Sequence, residues 1–343
     1  MHLQTHTFGD YTFRPHAVFP SVAAAAANPN PSGAGPREWD YIIVTTKALP
    51  DRSDDSALIA PLVGPHSCIV LIQNGVGVEQ PYRTRFPTTP IISAVTVISA
   101  EQTSPGTVRQ HRWTRIHLGP YTNSASFSSP GSETTTTTGP RGDDTTGALN
   151  PTGAHPTPTT SPTDPETTTL DTTGTHLATL LSDWWTRLGL IRDVDHSSEL
   201  GLQTIRWHKL CINAAFNPSS ILSGGRGNAD MVRSDPELRA HLAGVMREIW
   251  DAAPRILGRG FGPEMATPER ILKSTERNVG SKPSMLLDWE AGRPLEVEVI
   301  LGNPVRIARA RGVELPRLQT VYALVRSMQA VRDKGREGGK GKL

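Results

Sequence analysis

Three short apolar runs set the pattern of the first third of the chain. Tyr41-Ile42-Ile43-Val44-Thr45-Thr46, Cys68-Ile69-Val70-Leu71-Ile72 and Ile91 to Ser99 are rich in β-branched residues and bounded by turn formers, which is the pattern of buried strands. Between the first two, Ser56 to Val63 has room for a short helix only. Continuous apolar strands joined through helices predict a parallel sheet covered on both faces. Ahead of them, Gly9-Asp10 is a turn pair for a hairpin within Met1 to Pro20, followed by a loop ending near Pro36. Thr107 to Gln110 and Arg115 to Leu118 read as two strands of a further hairpin, with Trp113 as a packing anchor in the turn.

The period changes from 2 to 3.6 at His176. His176 to Leu188 places Leu177, Leu180, Leu181, Trp184 and Leu188 for one helical face, with Gly189 to cap it. Leu202 to Ser223 is a second helix that Pro218 is expected to end or kink. Helices also follow at Pro236 to Leu257, Pro268 to Thr275 and Pro283 to Glu290. Another opens at Pro294, and the last runs from Arg317 to Val331. The expected architecture is therefore α/β plus all-α, with a helical second half.

Composition interrupts that pattern in two places. Tyr121 to about Thr175 is dominated by Thr, Pro and Gly, with the run Thr134 to Thr138; it is expected to be a disordered insertion, because it has too little apolar surface to offset backbone ordering. Arg332 to Lys342 reads as a disordered, solubilising tail. The expected segments are residues 1–120, 121–175, 176–331 and 332–343.

The chain has 343 residues, long enough for two cores. Its 35 basic and 33 acidic residues nearly balance, and no basic block is interleaved with aromatics, so no nucleic-acid partner is expected. No apolar run reaches the ~18 residues of a membrane span, and no secretory signal is visible. Cys68 and Cys211, each inside an apolar run, read as buried thiols in a reducing compartment. The scattered histidines carry no ligand spacing, so no metal site is expected.

Against this background one stripe stands out. Lys209, Asn213 and Asn217 are spaced four apart, so they line up along an otherwise apolar helix. Polar groups buried there require partners, and a polar ligand in a cleft is one way to supply them; a solvated face with two structural amides is the other. Lys47 and Asn74 follow the first two strands, where ligands of open α/β sheets bind. Glu296, close after Pro294, is expected in the first turn of a helix. Lysine, glutamate, serine and carboxamides together suit a small oxo-acid: the ammonium can stabilise and protonate a developing alkoxide, and the amides can fix carboxylate and hydroxyls.

DYIIVTTKAL (Asp40–Leu49), LIQNGVG (Leu71–Gly77), WHKLCINAAFNPSSIL (Trp207–Leu222), KPSMLLDWEAGRPLEVEVILG (Lys282–Gly302) and GVELP (Gly312–Pro316) resemble, in order and spacing, the ketopantoate reductases, in a fungal-like version. The resemblance implies a Rossmann-like sheet domain, here truncated, followed by a helical domain like that of 6-phosphogluconate dehydrogenase. It implies NADPH-dependent reduction of 2-dehydropantoate to pantoate, in the pathway to pantothenate. The family's catalytic lysine falls on Lys209 and its acidic partner on Glu296. Its substrate-binding groups fall on Asn213, Asn217 and Ser284, and its cofactor-side residues on Lys47 and Asn74. A small 2-keto acid is the expected partner, a homodimer the assembly left open, and the cytoplasm, or the mitochondrion, the expected compartment. Relative to the family there is no counterpart of the first strand, the G-x-G-x-x-G turn, the first helix and the second strand; the resemblance implies coding sequence for such a unit upstream of Met1. Two other readings stand beside this one: a non-catalytic binding or scaffold protein, and a reductase of another 2-keto acid.

Overall fold

The computed structural model describes residues 1–6, 8–27, 39–123, 165–189, 191 and 193–340. The N-terminal hairpin is present as β1 (His2–Thr5) and β2 (Tyr11–Thr12), paired antiparallel with Gly9 at φ +75° in the connection. The stretch read as loop after it contains α1 (Val22–Ala27), an alanine run with strong intrinsic helix propensity.

The apolar runs form β3 (Tyr41–Val44), β4 (Cys68–Leu71) and β5 (Ile91–Ser104), parallel to one another. Helices α2 (Asp55–Ile59) and α3 (Gln80–Arg85) lie in the connections. The expected small hairpin beyond residue 107 is absent. Thr107–Pro120 is one strand, β6, which returns antiparallel along all of β5 from a turn at Gly106, φ +79°. Residues 107–110 and 115–118 therefore share one partner instead of pairing with each other, and the side chain of Trp113 lies outside the described residues. The sheet is mixed, in the order β2-β1-β6-β5-β4-β3. β1 and a later strand, β7 (Asp193–His196), both pair parallel with β6, at Thr107–Gln110 and Arg115–Leu118 respectively.

Alternation along the strands divides their side chains between two cores. Ile42, Val44, Ile69, Leu71 and Ile91 pack with Ile59 and Tyr82 on the α2–α3 face. Cys68, Val70, Ile92, Ala94 and Leu118 pack with Ala178 and Leu181 of α4 (Pro165–Arg187) on the other. Residues 165–175, expected to be disordered, thus form the first half of α4. The buried seam is Leu170, Gly174, Ala178 and Leu181, while Trp184 and Leu188, expected on the buried face, are exposed. Gly174 explains the shift: a Cβ there would come within 2.9 Å of Pro120, so the helix approaches the sheet through its smallest residue. The rest of the insertion, 124–164, lies outside the described residues.

The helical half comprises α5 (Glu199–Leu222), α6 (Asn228–Arg233), α7 (Pro236–Leu257), α8 (Pro268–Thr275), α9 (Ser284–Glu290), a π turn (Glu298–Gly302), α10 (Asn303–Arg309) and α11 (Pro316–Lys340). Caps set the ends. Asp235 accepts from Glu237 N and Leu238 N ahead of Pro236, and Gly258 leaves α7 at φ +73°. Pro218 does not end α5. It removes one backbone donor, but residues 214–221 are all buried, and their packing carries the helix on to Leu222. α11 likewise runs past Val331 through the expected tail, where Asp333 pairs with Arg52 and Arg332 donates to the carbonyls of Trp289 and Arg293. Among the described residues, no helix is long and apolar enough to cross a membrane.

Candidate active site

α5 meets the sheet domain through Gln203, Arg206 and Lys209, spaced at three. The Lys209 ammonium is partly buried, and it donates to Asn74 Oδ1 at 2.9 Å and to the Thr96 carbonyl on β5 at 2.7 Å. Burial, reinforced by the positive charge of Arg206 and opposed by Glu296, pulls its pKa down to about 8.

Asn74 reaches a second group. Its Nδ2 lies 3.4 Å from Glu296 Oε2, and Glu296 Oε1 accepts from Ala48 N at 3.3 Å. Glu296 is only 6% exposed and sits just ahead of the helical residues, rather than in a first turn. Its carboxylate is therefore held by the sheet domain's turns and not by its own helix's amides. One carboxamide of the sheet half thus bridges an ammonium and a carboxylate that both belong to the helical half.

The Asn74 turn is fixed by the helical half. Val76 N donates to the Val299 carbonyl at 2.9 Å, Asn303 Nδ2 donates to the Val76 carbonyl at 2.9 Å, and Arg206 donates to the carbonyls of Gln73 and Gly75. Gly75, at φ +85°, lies against the π turn; a Cβ there would come within 2.4 Å of the Val299 oxygen. π turns of this kind recur at functional sites.

The remaining expected residues divide. Lys47 pairs with Asp288, which is 5% exposed and also takes Arg293 Nε at 2.9 Å; burial lowers the Lys47 pKa, Glu296 opposing. Asn213 is partly buried, with no hydrogen-bond partner among the described residues, and lines a cavity of about 10 Å³ with Asn74, Val95, Arg206 and Lys209, room for about one water. Asn217 is buried and spoken for: its Oδ1 accepts from Met285 N at 3.3 Å and holds the start of α9. Ser284, at that same start, is exposed. A larger cleft, about 1310 Å³, opens beside Ala48, Gln73 and Gly77 towards Arg306 and Tyr322, and neither Lys209, Asn74 nor Glu296 lines it. Asp288, Arg206 and the Thr96 carbonyl escaped the sequence reading. Asp288 lies one turn from Ser284 on α9, but neither its burial nor that of Arg206 leaves a mark in spacing.

A dinucleotide needs two ends held. Lys47 and Asn74 lie at the strand ends, the first paired with Asp288 and the second bridging Lys209 and Glu296. β3 and β4 lead into α2 and α3 without a G-x-G-x-x-G turn, so the described residues do not form a pyrophosphate cradle of that type. Among them, no group of His, Cys, Asp and Glu is placed to hold a metal ion.

Comparison with known proteins concerns the chain as a whole. The model of the ketopantoate reductase PanE/ApbA family matches residues 1–123, and that of its C-terminal domain matches residues 201–329. An uncharacterized protein of Saccharomyces cerevisiae is 26% identical, over 93% of this chain and 78% of its own. A 2-dehydropantoate 2-reductase of Nostoc sp. is 24% identical over 82% of this chain and 72% of its own. Among solved structures, a 2-dehydropantoate 2-reductase from Methylococcus capsulatus superposes with a TM-score of 0.68 at 27% identity, covering 97% of this chain and 84% of that one.

Proposed function

The chain belongs to the ketopantoate reductase family, and from that premise we propose that it reduces a small 2-keto acid, 2-dehydropantoate first, with NADPH as hydride donor. The observation that carries this reading is the Lys209–Asn74–Glu296 bridge across the two halves. An ammonium has three donors, and two are taken by Asn74 and Thr96; the third has no partner among the described residues and can serve a substrate carbonyl oxygen. As that oxygen gains negative charge, Lys209 stabilises it and then gives up a proton from Nζ, a transfer eased by a pKa near 8. Glu296 orients Asn74, and through it the ammonium. Asn213, whose amide is uncommitted among the described residues, is assigned to the substrate's polar groups. Asn217 supports the same wall by holding the start of α9, Ser284 at that start is assigned to the substrate, and Lys47 to the cofactor side. The chemistry NADPH supplies when bound is a hydride for the keto carbon. A keto acid exceeds the present cavity, so binding requires its walls to open locally.

The second reading is a non-catalytic binding protein. Mixing the purified chain with NADPH and a panel of 2-keto acids, and following nicotinamide absorbance, decides between them. Turnover of 2-dehydropantoate, lost in Lys209→Met, supports the reductase. Turnover of a different keto acid alone replaces the substrate, and neither turnover nor NADPH binding supports the binding protein.

A further inference from the structure

We propose that Arg206 is the positioning residue for Lys209, holding both of the ammonium's acceptors in place through a single buried guanidinium. This rests on the reading of Lys209 as the proton donor. Arg206 is 3% exposed and precedes Lys209 by three residues on α5. Its Nη1 donates to the carbonyls of Gln73 and Gly75, both at 2.9 Å, and these flank Asn74 on either side. Its Nη2 donates to Ser93 Oγ at 2.5 Å and to the Ala94 carbonyl at 3.1 Å, on the stretch of β5 that leads to Thr96. The same fork therefore grips the turn carrying one acceptor of Lys209 and the strand carrying the other.

Glu79 supports the fork from behind. Its Oε1 lies 3.2 Å from Arg206 Nε, out of line for a hydrogen bond, and accepts from Ser93 Oγ at 2.6 Å and Gln203 Nε2 at 3.1 Å. A planar guanidinium can serve four acceptors on two segments at once, which a lysine ammonium with three donors on one nitrogen cannot. Charge alone therefore does not explain the residue; its shape does. The charged groups facing Lys209 are Arg206 from its own helix and Glu296 from the segment before the π turn, with Lys47 on the far side of Glu296. Asn74 and Thr96 add none that titrate.

The test compares two like substitutions. Arg206→Lys keeps the charge and loses the fork. Arg83→Lys does the same at another buried arginine, whose guanidinium donates to the carbonyls of Phe86, Pro87, Thr89 and Tyr121, away from the site. Lys209 is followed by NMR of protein carrying ¹³C at the lysine ε-carbons, its resonance identified by its loss in Lys209→Met. In Arg206→Lys we expect its titration midpoint to rise from about 8 towards that of a solvated lysine, and any turnover to lose about tenfold or more in kcat at little change in KM. In Arg83→Lys we expect lowered stability and an unmoved midpoint. Should Arg206→Lys not fold, Glu79→Gln, which loosens the fork without removing it, is expected to shift the midpoint in the same direction by less. A midpoint in Arg206→Lys, or failing that in Glu79→Gln, equal to that of wild type and of Arg83→Lys overturns the proposal. The NMR arm decides this even if the chain turns over no keto acid, so the two readings fail separately.

Discussion

Lys209 concentrates the physical cost of the site in one side chain. An ammonium moved out of water favours its neutral form, and the neighbouring Arg206 adds to that preference more than Glu296 relieves it. Two consequences differ in sign. A proton donor must be charged, so turnover should fall as pH rises through about 8; a profile flat across that region would remove Lys209 from the proton's path. Stability should do the opposite. Between about 8 and the ordinary 10.5, the unfolded chain binds a proton at Lys209 that the folded chain has shed, so the contribution of this group to folding should strengthen with rising pH in that window. The buried Cys68 and Cys211 thiols, pushed up by burial, act the other way in wild type and variant alike. Urea melts across the window should therefore show the Lys209 slope as the difference between wild type and Lys209→Met, whose activity should also drop by about 10²–10⁴-fold. The sequence displayed Lys209 because a lysine on an apolar helix, followed by carboxamides at the same spacing, is unusual. It hid Arg206 and Glu79, because a charged residue beside Ile205 or Val78 reads the same whether it faces solvent or a buried carbonyl.

The Gln73–Val78 turn is the element on which the site depends, and glycine makes it possible. Gly75 combines a positive φ with a neighbour, the Val299 oxygen, that a side chain would strike. Gly9 has a similar φ, +75°, and open space around it. Alanine at Gly9 should cost only the left-handed backbone strain, about 1–2 kcal/mol. Alanine at Gly75 adds the collision with the π turn, so its loss should be clearly larger and accompanied by reduced turnover. Denaturant melts of the two variants side by side check this, and equal losses would mean the turn can back away from Val299. Elements with strong local signals were legible. The strand runs, the Gly9 hairpin, the limits of α7 and the start of α8 were plain because β-branched apolar runs, Pro at the start and, for α7, Gly at the end mark them. α4 and α11 were read too short because Thr- and Gly-rich ends look like coil until tertiary contacts, such as Gly174 on Pro120 and Asp333 on Arg52, hold them. Pro218 does not end α5 for the same reason, since burial on all sides outweighs one lost hydrogen bond.

At the scale of the molecule, the two halves are not independent. Ala48, Val76 and Val78 come from the sheet domain's turns, yet they are buried in the same core as Leu210, Ile249 and Leu301 of the helices. The polar contacts repeat the pattern: Glu296 on Ala48, Arg206 on the β4 turn and Lys47 on Asp288 all cross from one half to the other. If the sheet half unfolded alone, Val76 and Val78 would leave a hole in the helical core, and Arg206 and Glu296 would lose buried partners, which costs several kcal/mol per group for unpaired buried charges. One cooperative transition is therefore expected. In hydrogen exchange under mild denaturant, the slowest amides of β4 and of α7 should lose protection together. Val76→Asp places a carboxylate in the shared core and should split that transition, with β4 opening at lower denaturant than α7. Separate opening already in the wild-type chain would mean that each half is stable without the other, and that the bridge between Lys209 and Glu296 forms only when they are docked.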